Sequence, residues 1–284
     1  MDKLILYSPA KINIGLNIIR KRNDGYHDLE TIFYPLLLSD VLTFNKANKT
    51  MLTSNSEEIN NLGSNLVTDA ITLLQEHTKK ELRVEIHLEK NIPVGGGLGG
   101  GSSNAAVTLK AINQLYNLRL NYKILSELAL KLGSDVPYFL DPEPYFASSR
   151  GEVLSKINLL LGHPILIVNP GIHISTKWAF ENLKIKTNTK KLSDVMLKKS
   201  ISIDDIKSLA KNDFEEIVFK EYPDIKSIKD RLNNLDAEFS LMTGSGSTVF
   251  GIFTNLQKAR RAKTEFQKDY FTYLNFPVDQ GSIT

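Results

Sequence analysis

The stretch from residue 93 to residue 104 carries the clearest chemical signal in the sequence. It reads Pro-Val-Gly-Gly-Gly-Leu-Gly-Gly-Gly-Ser-Ser-Asn, and six of these twelve residues are glycine. Glycine in a loop makes folding entropically costly, so this density indicates a backbone that takes left-handed torsions or approaches a ligand closely. Apolar and polar residues alternate over Leu82–Glu89, which predicts a strand before the loop. Apolar residues at helical spacing from Ala105 to Tyr116 predict a helix after it, with Ser102, Ser103 and Asn104 as candidate N-caps.

A strand, a glycine loop and a helix N-terminus together predict an anion site. Free amide groups and the positive end of the helix dipole converge there, and phosphate is the anion that fits best. Gly95, Gly97 and Gly100 satisfy G-x-G-x-x-G, but a dinucleotide-binding unit needs a strand buried on both faces, and Leu82–Glu89 has one polar face. A Walker A loop needs Gly-Lys-Ser/Thr, and the loop contains no lysine. The sequence therefore predicts a phosphate loop of a third kind.

A polar strand face near the N-terminus is a second candidate. Ile12, Ile14, Leu16 and Ile18 share one face of a predicted strand, which leaves Lys11, Asn13, Gly15 and Asn17 on the other. That second face either lines a cleft or is an ordinary solvated face. The residues alone leave both interpretations open.

Tyr26 and His27 follow an Asp24-Gly25 turn of the hairpin type. An aromatic ring next to an imidazole can stack on a planar base and form hydrogen bonds with it. The same pair is equally compatible with an ordinary strand entry.

Two further turns carry candidate functional groups. Asp135 follows a predicted helix over Tyr122–Leu132 that ends at Gly133, and it is either the N-cap of a short helical turn or a carboxylate acting as a base. The turn Leu241–Thr248, which contains Gly244, is either a hairpin or a second clamp on phosphate or substrate.

The other predicted elements place these candidates in an α+β chain. Separate strands are expected over residues 4–7, 11–18, 32–34, 41–44, 163–169 and 249–253. Helices are expected over residues 66–77 with Ser64 or Asn65 as N-cap, and over 176–183, 206–220, 224–235 and 257–267. Residues 48–61 are expected to form a loop or edge strand, and residues 184–191 a solvated basic loop.

The composition bounds the class of protein. The chain has 284 residues, 42% of them apolar and 24% charged, which is ordinary for a globular protein of one or two domains. Its net charge of +3 does not predict nucleic-acid binding. Cysteine is absent, which excludes disulfides, thiolate metal sites and cysteine nucleophiles. Neither a secretory signal nor a membrane span is predicted, and a cytoplasmic location is expected.

Three motifs, in order, resemble those of the GHMP kinases along almost the whole chain: Pro9–Asn13, Pro93–Ser103 and Met242–Gly246. Within that superfamily, further segments resemble the branch that phosphorylates a cytidylated methylerythritol: Asp24–His27, Leu98–Ser103, Gly133–Pro137, Asn169–Gly171 and Ser175–Thr176. The chain departs from the pattern at Pro142 and Ser149, where relatives usually carry glycine.

The resemblance implies an α+β fold with two domains and an active site in the cleft between them. Residues 1–156 would form an ATP-binding domain of the ribosomal-protein-S5 type, and residues 157–284 a ferredoxin-like domain. The implied reaction transfers the γ-phosphoryl group of ATP, with Mg²⁺, to the 2-hydroxyl of the cytidyl substrate. That reaction is a step of isoprenoid precursor synthesis. The implied partners are this small molecule alone, with no nucleic acid and no membrane, in a monomer or weak homodimer.

The resemblance also implies a role for each candidate residue. Asp135 would be the catalytic base and Lys11 its charged partner. The ATP phosphates would be bound by the loop residues Pro93, Val94, Gly95, Gly96, Gly97, Leu98, Gly99, Gly100, Gly101, Ser102 and Ser103. The substrate would be bound by Asn13, Tyr26, His27, Thr176, Trp178 and Gly244. No protein ligand is assigned to the metal. The alternatives are a homoserine or mevalonate type of kinase, or a nucleotide-binding regulator without catalysis.

Overall fold

The computed structural model describes residues 3–60, 65–185 and 191–276. Contacts between residues divide the chain into two compact units. The first unit comprises Met1–Ala10, Leu38–Val94 and Gly99–Pro142, and the second comprises Lys11–Leu37, Gly95–Leu98 and Glu143–Thr284. The chain therefore passes from one unit to the other several times, twice within the glycine loop. The expected boundary after residue 156 stays a prediction.

Two long strands contribute to both units. The strands predicted separately before residue 19 form one strand, β1 (Lys3–Lys21), and those between residues 32 and 44 belong to β2 (His27–Lys46), which pairs with β1. Residues 10–18 of β1 are all buried, so the polar alternate face is not solvated. The idea of a solvated strand face at Lys11 and Asn13 is thus wrong.

The first unit combines part of a six-stranded sheet with helices. Its other elements are β3 (Met51–Ser54), α1 (Glu57–Asn60), α2 (Leu66–Thr78), β4 (Val84–Glu89), α3 (Gly100–Leu115), α4 (Tyr122–Leu132) and a 3-10 helix, Pro137–Leu140. Strand β4 pairs in parallel with β3 and antiparallel with β2. It alternates buried and exposed residues as predicted. Its buried residues, like those of α2 and α3, contribute to the apolar interior of this unit.

The helix boundaries in the first unit follow local capping. The Asn65 side chain accepts a hydrogen bond from the Val67 amide and caps α2. The alternative cap, Ser64, lies outside the described residues. Helix α3 begins earlier than predicted, because its N-cap is Gly99 in the left-handed conformation, without a side-chain bond. Ser102, Ser103 and Asn104 lie inside this helix, so their assignment as caps is wrong.

The second unit contains a four-stranded sheet and part of the six-stranded sheet formed by β1–β6. The first part of β2 pairs with β5 (Tyr145–Ser148), which pairs with β6 (Val153–Lys156). An antiparallel sheet has the order β10–β7–β9–β8, formed by β7 (Ile165–Asn169), β8 (Phe239–Met242), β9 (Val249–Ile252) and β10 (Phe271–Asn275). The helices are α5 (Thr176–Asn182), α6 (Ile203–Leu209), α7 (Glu215–Glu221), α8 (Pro223–Asn234) and α9 (Leu256–Phe266), with a 3-10 helix at Leu192–Leu197.

The helix predicted over residues 206–220 is interrupted in the structure. Helix α6 ends at Leu209, and α7 begins at Glu215. Between them the chain pairs with β1: the Leu16 amide donates to the Lys211 carbonyl at 2.7 Å, and the Asp213 amide donates to the Leu16 carbonyl at 2.9 Å. These strand-like bonds use backbone groups that a continuous helix would need. The predicted basic loop 184–191 lies partly outside the described residues, at 186–190.

Candidate functional site

The backbone of the glycine loop explains its composition. Gly95, Gly97 and Gly99 have φ angles of 66°, 78° and 73°, in the left-handed region. A Cβ atom on Gly97 would lie 2.4 Å from the Thr243 carbonyl oxygen, and one on Gly95 would lie 2.3 Å from His173 Nδ1. The torsions therefore favour glycine at positions 95, 97 and 99, and at Gly97 close packing against the backbone excludes a side chain as well.

Three of the sequence motifs meet in the second unit. The Lys11 amide donates to the Leu98 carbonyl at 2.9 Å, which joins β1 to the glycine loop. The Asn13 amide donates to Thr243 Oγ1 at 2.8 Å, which joins β1 to the turn between β8 and β9. The Thr248 amide donates to the Gly96 carbonyl at 3.3 Å, which joins the turn between β8 and β9 to the glycine loop. Residues more than 200 positions apart in sequence thus form one site.

Lys11 and Asn13 have buried side chains, 4% and 3% exposed. The Lys11 ammonium donates to Asn13 Oδ1 and lies 5.1 Å from the centroid of the Phe33 ring. Asn13 Nδ2 donates to Thr31 Oγ1 at 2.9 Å. An ammonium group that is nearly out of water needs such acceptors, and these contacts hold Asn13 in a fixed orientation beside the lysine.

Gly244 lies in a tight hairpin that is also packed against the loop. Its φ is 59°, and a Cβ atom there would approach Gly97 Cα to 3.2 Å. Asn212 Nδ2 donates to the Met242 and Gly244 carbonyls at 2.7 and 2.8 Å. Sequence reasoning missed Asn212, because a single asparagine inside the helix predicted over residues 206–220 carries no distinctive signal. Thr176 Oγ1 lies 3.1 Å from Ser245 Oγ, so α5 contacts the same hairpin.

Tyr26 and His27 lie at the start of β2. The Tyr26 ring is half exposed, and the Arg150 guanidinium lies 4.4 Å from its centroid. The His27 ring stacks on Phe180, with centroids 4.7 Å apart and planes at 21°. Burial lowers the pKa of His27, and the charge of Lys21 lowers it further. At neutral pH the imidazole is therefore uncharged, with one donor and one acceptor nitrogen.

The sequence analysis named Trp178, the only tryptophan, as a substrate-binding residue and did not name Phe180. Both lie on α5. The Trp178 ring meets the Tyr222 ring edge-on at 5.8 Å and packs against the core of the second unit. Phe180 is the residue that contacts His27, and its other neighbour is Phe214 at 4.9 Å. Nothing in the helical pattern distinguishes these two aromatic residues.

Asp135 belongs to the first unit, in the turn between α4 and the 3-10 helix Pro137–Leu140. The N-cap of that helix is Val136, whose side chain forms no capping hydrogen bond. The alternative interpretation of Asp135 as a helix cap is therefore wrong. Lys11 belongs to the second unit, so the pairing of Asp135 with Lys11 stays a prediction.

The first unit also holds the end of the glycine loop. Ser103 is buried in α3, and its Oγ accepts a hydrogen bond from Ser8 Oγ at 2.8 Å. Within residues 3–60, 65–185 and 191–276, no three or more histidine, aspartate or glutamate side chains are grouped as a metal site would need. No helix in these ranges is long and apolar enough to cross a membrane.

Comparison with family models gives two matches. Residues 65–141 match the GHMP kinases N terminal domain, and residues 196–271 match the GHMP kinases C terminal domain.

Comparison with individual proteins gives the same family as the two family models. A 4-diphosphocytidyl-2-C-methyl-D-erythritol kinase of Cytophaga hutchinsonii is 41% identical over 254 residues, 88% of this chain and 92% of the relative. Its counterpart in Prosthecochloris aestuarii is 38% identical over 98% of this chain and 100% of the relative. A crystal structure of a 4-(cytidine 5'-diphospho)-2C-methyl-D-erythritol kinase superposes with a TM-score of 0.78 at 29% identity, covering 96% of this chain and 98% of the other. A homoserine kinase structure from Cytophaga hutchinsonii, 19% identical over 99% of this chain and 96% of the other, has a TM-score of 0.76 and shares the fold.

Proposed function

Because the chain belongs to the 4-diphosphocytidyl-2-C-methyl-D-erythritol kinase family, we propose that it phosphorylates the 2-hydroxyl of 4-(cytidine 5'-diphospho)-2-C-methyl-D-erythritol. The membership makes it an ATP-dependent kinase, and the predicted α+β GHMP kinase fold is confirmed. The reaction would serve the non-mevalonate route to isoprenoid precursors.

One observation carries the proposal: β1, the glycine loop and the β8–β9 hairpin are joined by backbone and side-chain hydrogen bonds in the second unit. The junction holds Lys11 and Asn13 next to Gly97 and Gly244. Such a site offers backbone amides and a buried cation to anionic groups. This supports a role in binding phosphates and the acceptor.

On the donor side, the loop from Pro93 to Ser103 binds the ATP phosphates through backbone amides and the N-terminus of α3. The loop carries the hydroxyls of Ser102 and Ser103, which are hard oxygen donors of the kind that Mg²⁺ prefers. A bound Mg²⁺ would neutralise charge on the phosphate oxygens. The protein residues hold the phosphates in line with the acceptor.

On the acceptor side, Asp135 accepts the proton of the 2-hydroxyl, and Lys11 stabilises the negative charge that develops on that oxygen. Asn13, fixed by Lys11 and Thr31, hydrogen-bonds the methylerythritol. Phosphoryl transfer passes through a loose transition state, so alignment and charge contribute more than the strength of the base.

On the base side, the neutral imidazole of His27 offers a donor and an acceptor to the edge of cytosine. Tyr26 supplies an exposed ring for stacking. The His27 and Phe180 rings touch directly, so a base stacks on an outer face of this pair rather than between them. Thr176 and Gly244 complete the substrate contacts. Of the two aromatic residues on α5, Phe180 is the one that contacts His27, so we place it rather than Trp178 beside the base.

Release of ADP from ATP, measured with three acceptors, tests the proposal. The cytidylated methylerythritol should be phosphorylated, whereas homoserine and mevalonate should give only background ATP hydrolysis. Turnover of homoserine or mevalonate alone would establish a different kinase of the same fold. ATP binding without turnover of any acceptor would favour a regulator.

A further inference from the structure

His173 lies in the loop that follows β7, and its imidazole packs against the glycine loop. A Cβ atom on Gly95 would lie 2.3 Å from His173 Nδ1 and 2.9 Å from its Cε1, so the ring rests on the Gly95 backbone. Both residues belong to the second unit, and His173 is exposed. A polar side chain that a ligand can reach from solvent therefore lies directly beside the glycine loop.

The residues on either side of His173 fix its place. The Ile172 carbonyl accepts a hydrogen bond from Ser247 Oγ at 2.5 Å. Ile174 is buried, and a Cβ atom on Gly246 would lie 2.9 Å from its Cδ1. Both of these partners belong to the turn between β8 and β9. His173 is thus held where that turn and the glycine loop meet, so its backbone loses little freedom when a ligand binds.

The imidazole of His173 has polar atoms to offer a ligand. Within residues 3–60, 65–185 and 191–276, its ring nitrogens form no hydrogen bond and no ion pair. A neutral imidazole has one donor and one acceptor nitrogen, and a protonated one has two donors and a positive charge. In either state the ring can donate a hydrogen bond to an anionic oxygen without breaking a contact that the protein already makes.

The surroundings of His173 indicate which part of the proposed substrate it meets. On one side, α5 begins three residues after it and carries Phe180, which belongs to the base side of the site. On the other side, Gly95 leads to Gly97, which contacts Gly244 on the acceptor side. The group that joins the cytidine to the methylerythritol in that substrate is a diphosphate. Its oxygens are strong acceptors for an imidazole N–H.

We propose that His173 is a specificity-determining residue that donates a hydrogen bond to the diphosphate of the cytidyl substrate. This role rests on the proposed function, because it takes the acceptor to be an ester of cytidine diphosphate. Homoserine and mevalonate carry no diphosphate, so a contact of this kind favours the cytidyl substrate over the acceptors of the related kinases.

Titration with cytidine 5'-diphosphate (CDP) and with cytidine, followed by NMR without ATP, tests this role. The two ligands share base and ribose and differ by the diphosphate. His173→Ala should weaken CDP binding about 10-fold, near the lower end of the range for a hydrogen bond to a charged group, because water reaches the site. Cytidine binding should stay unchanged. A variant that only disturbed the loop would weaken both ligands alike, and that result would overturn the proposal.

Two further variants sharpen the comparison. His173→Gln keeps a side chain that can donate a hydrogen bond, so it should bind CDP more tightly than His173→Ala. His163→Ala is the matched control, because it removes another histidine of the second unit, before the start of β7 at Ile165 rather than after its end at Asn169. The control should bind CDP like the wild type, and a loss equal to that of His173→Ala would overturn the proposal.

Steady-state kinetics identify the ligand that His173 contacts. His173→Ala should raise the KM for the cytidyl substrate about 10-fold and leave the KM for ATP unchanged. A raised KM for ATP alone would place His173 against the phosphoryl donor and overturn the proposal. Wild-type CDP affinity in His173→Ala would also overturn it and leave the proposed kinase activity intact. If the wild-type protein neither bound CDP nor phosphorylated the cytidyl substrate, the proposed function would fail together with this role.

Discussion

Gly97 approaches the Thr243 carbonyl so closely that a Cβ atom on it would lie 2.4 Å from that oxygen. This contact joins residues 146 positions apart and connects the glycine loop to the β8–β9 hairpin. A Cβ atom on Gly244, the residue after Thr243, would likewise lie 3.2 Å from Gly97 Cα. The two glycines therefore allow two backbones to pack without side chains between them.

Gly97→Ala should disturb this junction more than its torsion alone explains. Gly171→Ala is the matched control, because Gly171 has a similar φ of 73° but nothing within 4 Å of a Cβ atom. The control should cost about 1–2 kcal/mol from the left-handed torsion. Gly97→Ala should cost more and also reduce kcat, as measured by chemical unfolding and ADP release. If the two variants lost the same free energy of unfolding, the contact with Thr243 would be unimportant for stability.

Asp135→Asn should lower kcat by roughly 10²–10⁴-fold, because the amide cannot accept the hydroxyl proton. ATP affinity should remain near that of the wild type. Asp141→Asn, an exposed carboxylate in the same unit, serves as the control and should retain activity. Near-normal turnover of Asp135→Asn would remove Asp135 from the chemistry.

Phe180→Leu should raise the KM for the cytidyl substrate about 3–10-fold, because it removes the ring stacked on His27. Trp178→Leu should instead lower the unfolding temperature through the lost contact with Tyr222 and leave that KM nearly unchanged. Steady-state kinetics and thermal unfolding of both variants distinguish the two roles. The reverse pattern would restore Trp178 as the residue that stacks on the base.

Ser149 has a φ of 62°, at a position where glycine would be unstrained. Its hydroxyl accepts from Arg22 Nη1 at 2.9 Å and donates to Glu152 Oε1 at 3.0 Å. Ser149→Ala keeps the strained torsion and loses both bonds, so it should destabilise the protein. Ser149→Gly loses the bonds but relieves the torsion, and should be more stable than Ser149→Ala by about 1 kcal/mol. Urea unfolding measures the free energy of unfolding of both variants. The prediction would be contradicted if Ser149→Ala were more stable than Ser149→Gly.

Lys198 lowers the pKa of Asp205 to about 2, assisted by the Ser202 backbone and hydroxyl in a capping box at the start of α6. The folded value lies below the ordinary one of 3.8. The stabilisation is therefore present above about pH 4 and is lost as the pH falls toward about 2.

Asp205→Asn should accordingly lower the unfolding temperature at about pH 7, and the difference from the wild type should shrink at about pH 2. Asp204→Asn is the control, because that exposed carboxylate lies in the same turn and does not form the cap. A difference that did not depend on pH would exclude this role of Asp205.

Local patterns in the sequence determined much of the fold. Alternation located β4, and helical spacing with capping residues located α2 and α4 almost to the residue. The glycine loop also followed from sequence, because such a density of glycine between a strand and a helix is typical of a backbone that is closely approached. The family was recognisable because three short motifs stand in a fixed order.

Only the tertiary structure decided which residues meet. Asn212 supports Gly244, and Phe180 rather than Trp178 contacts His27, because the second unit brings distant segments together. Likewise, Leu16 interrupts the helix predicted over 206–220 by supplying backbone partners of its own. The long-range bond between Ser8 and Ser103 has the same origin. The periodicity of a segment predicts which of its faces is buried. Which other segment packs against that face depends on the tertiary fold of the whole chain.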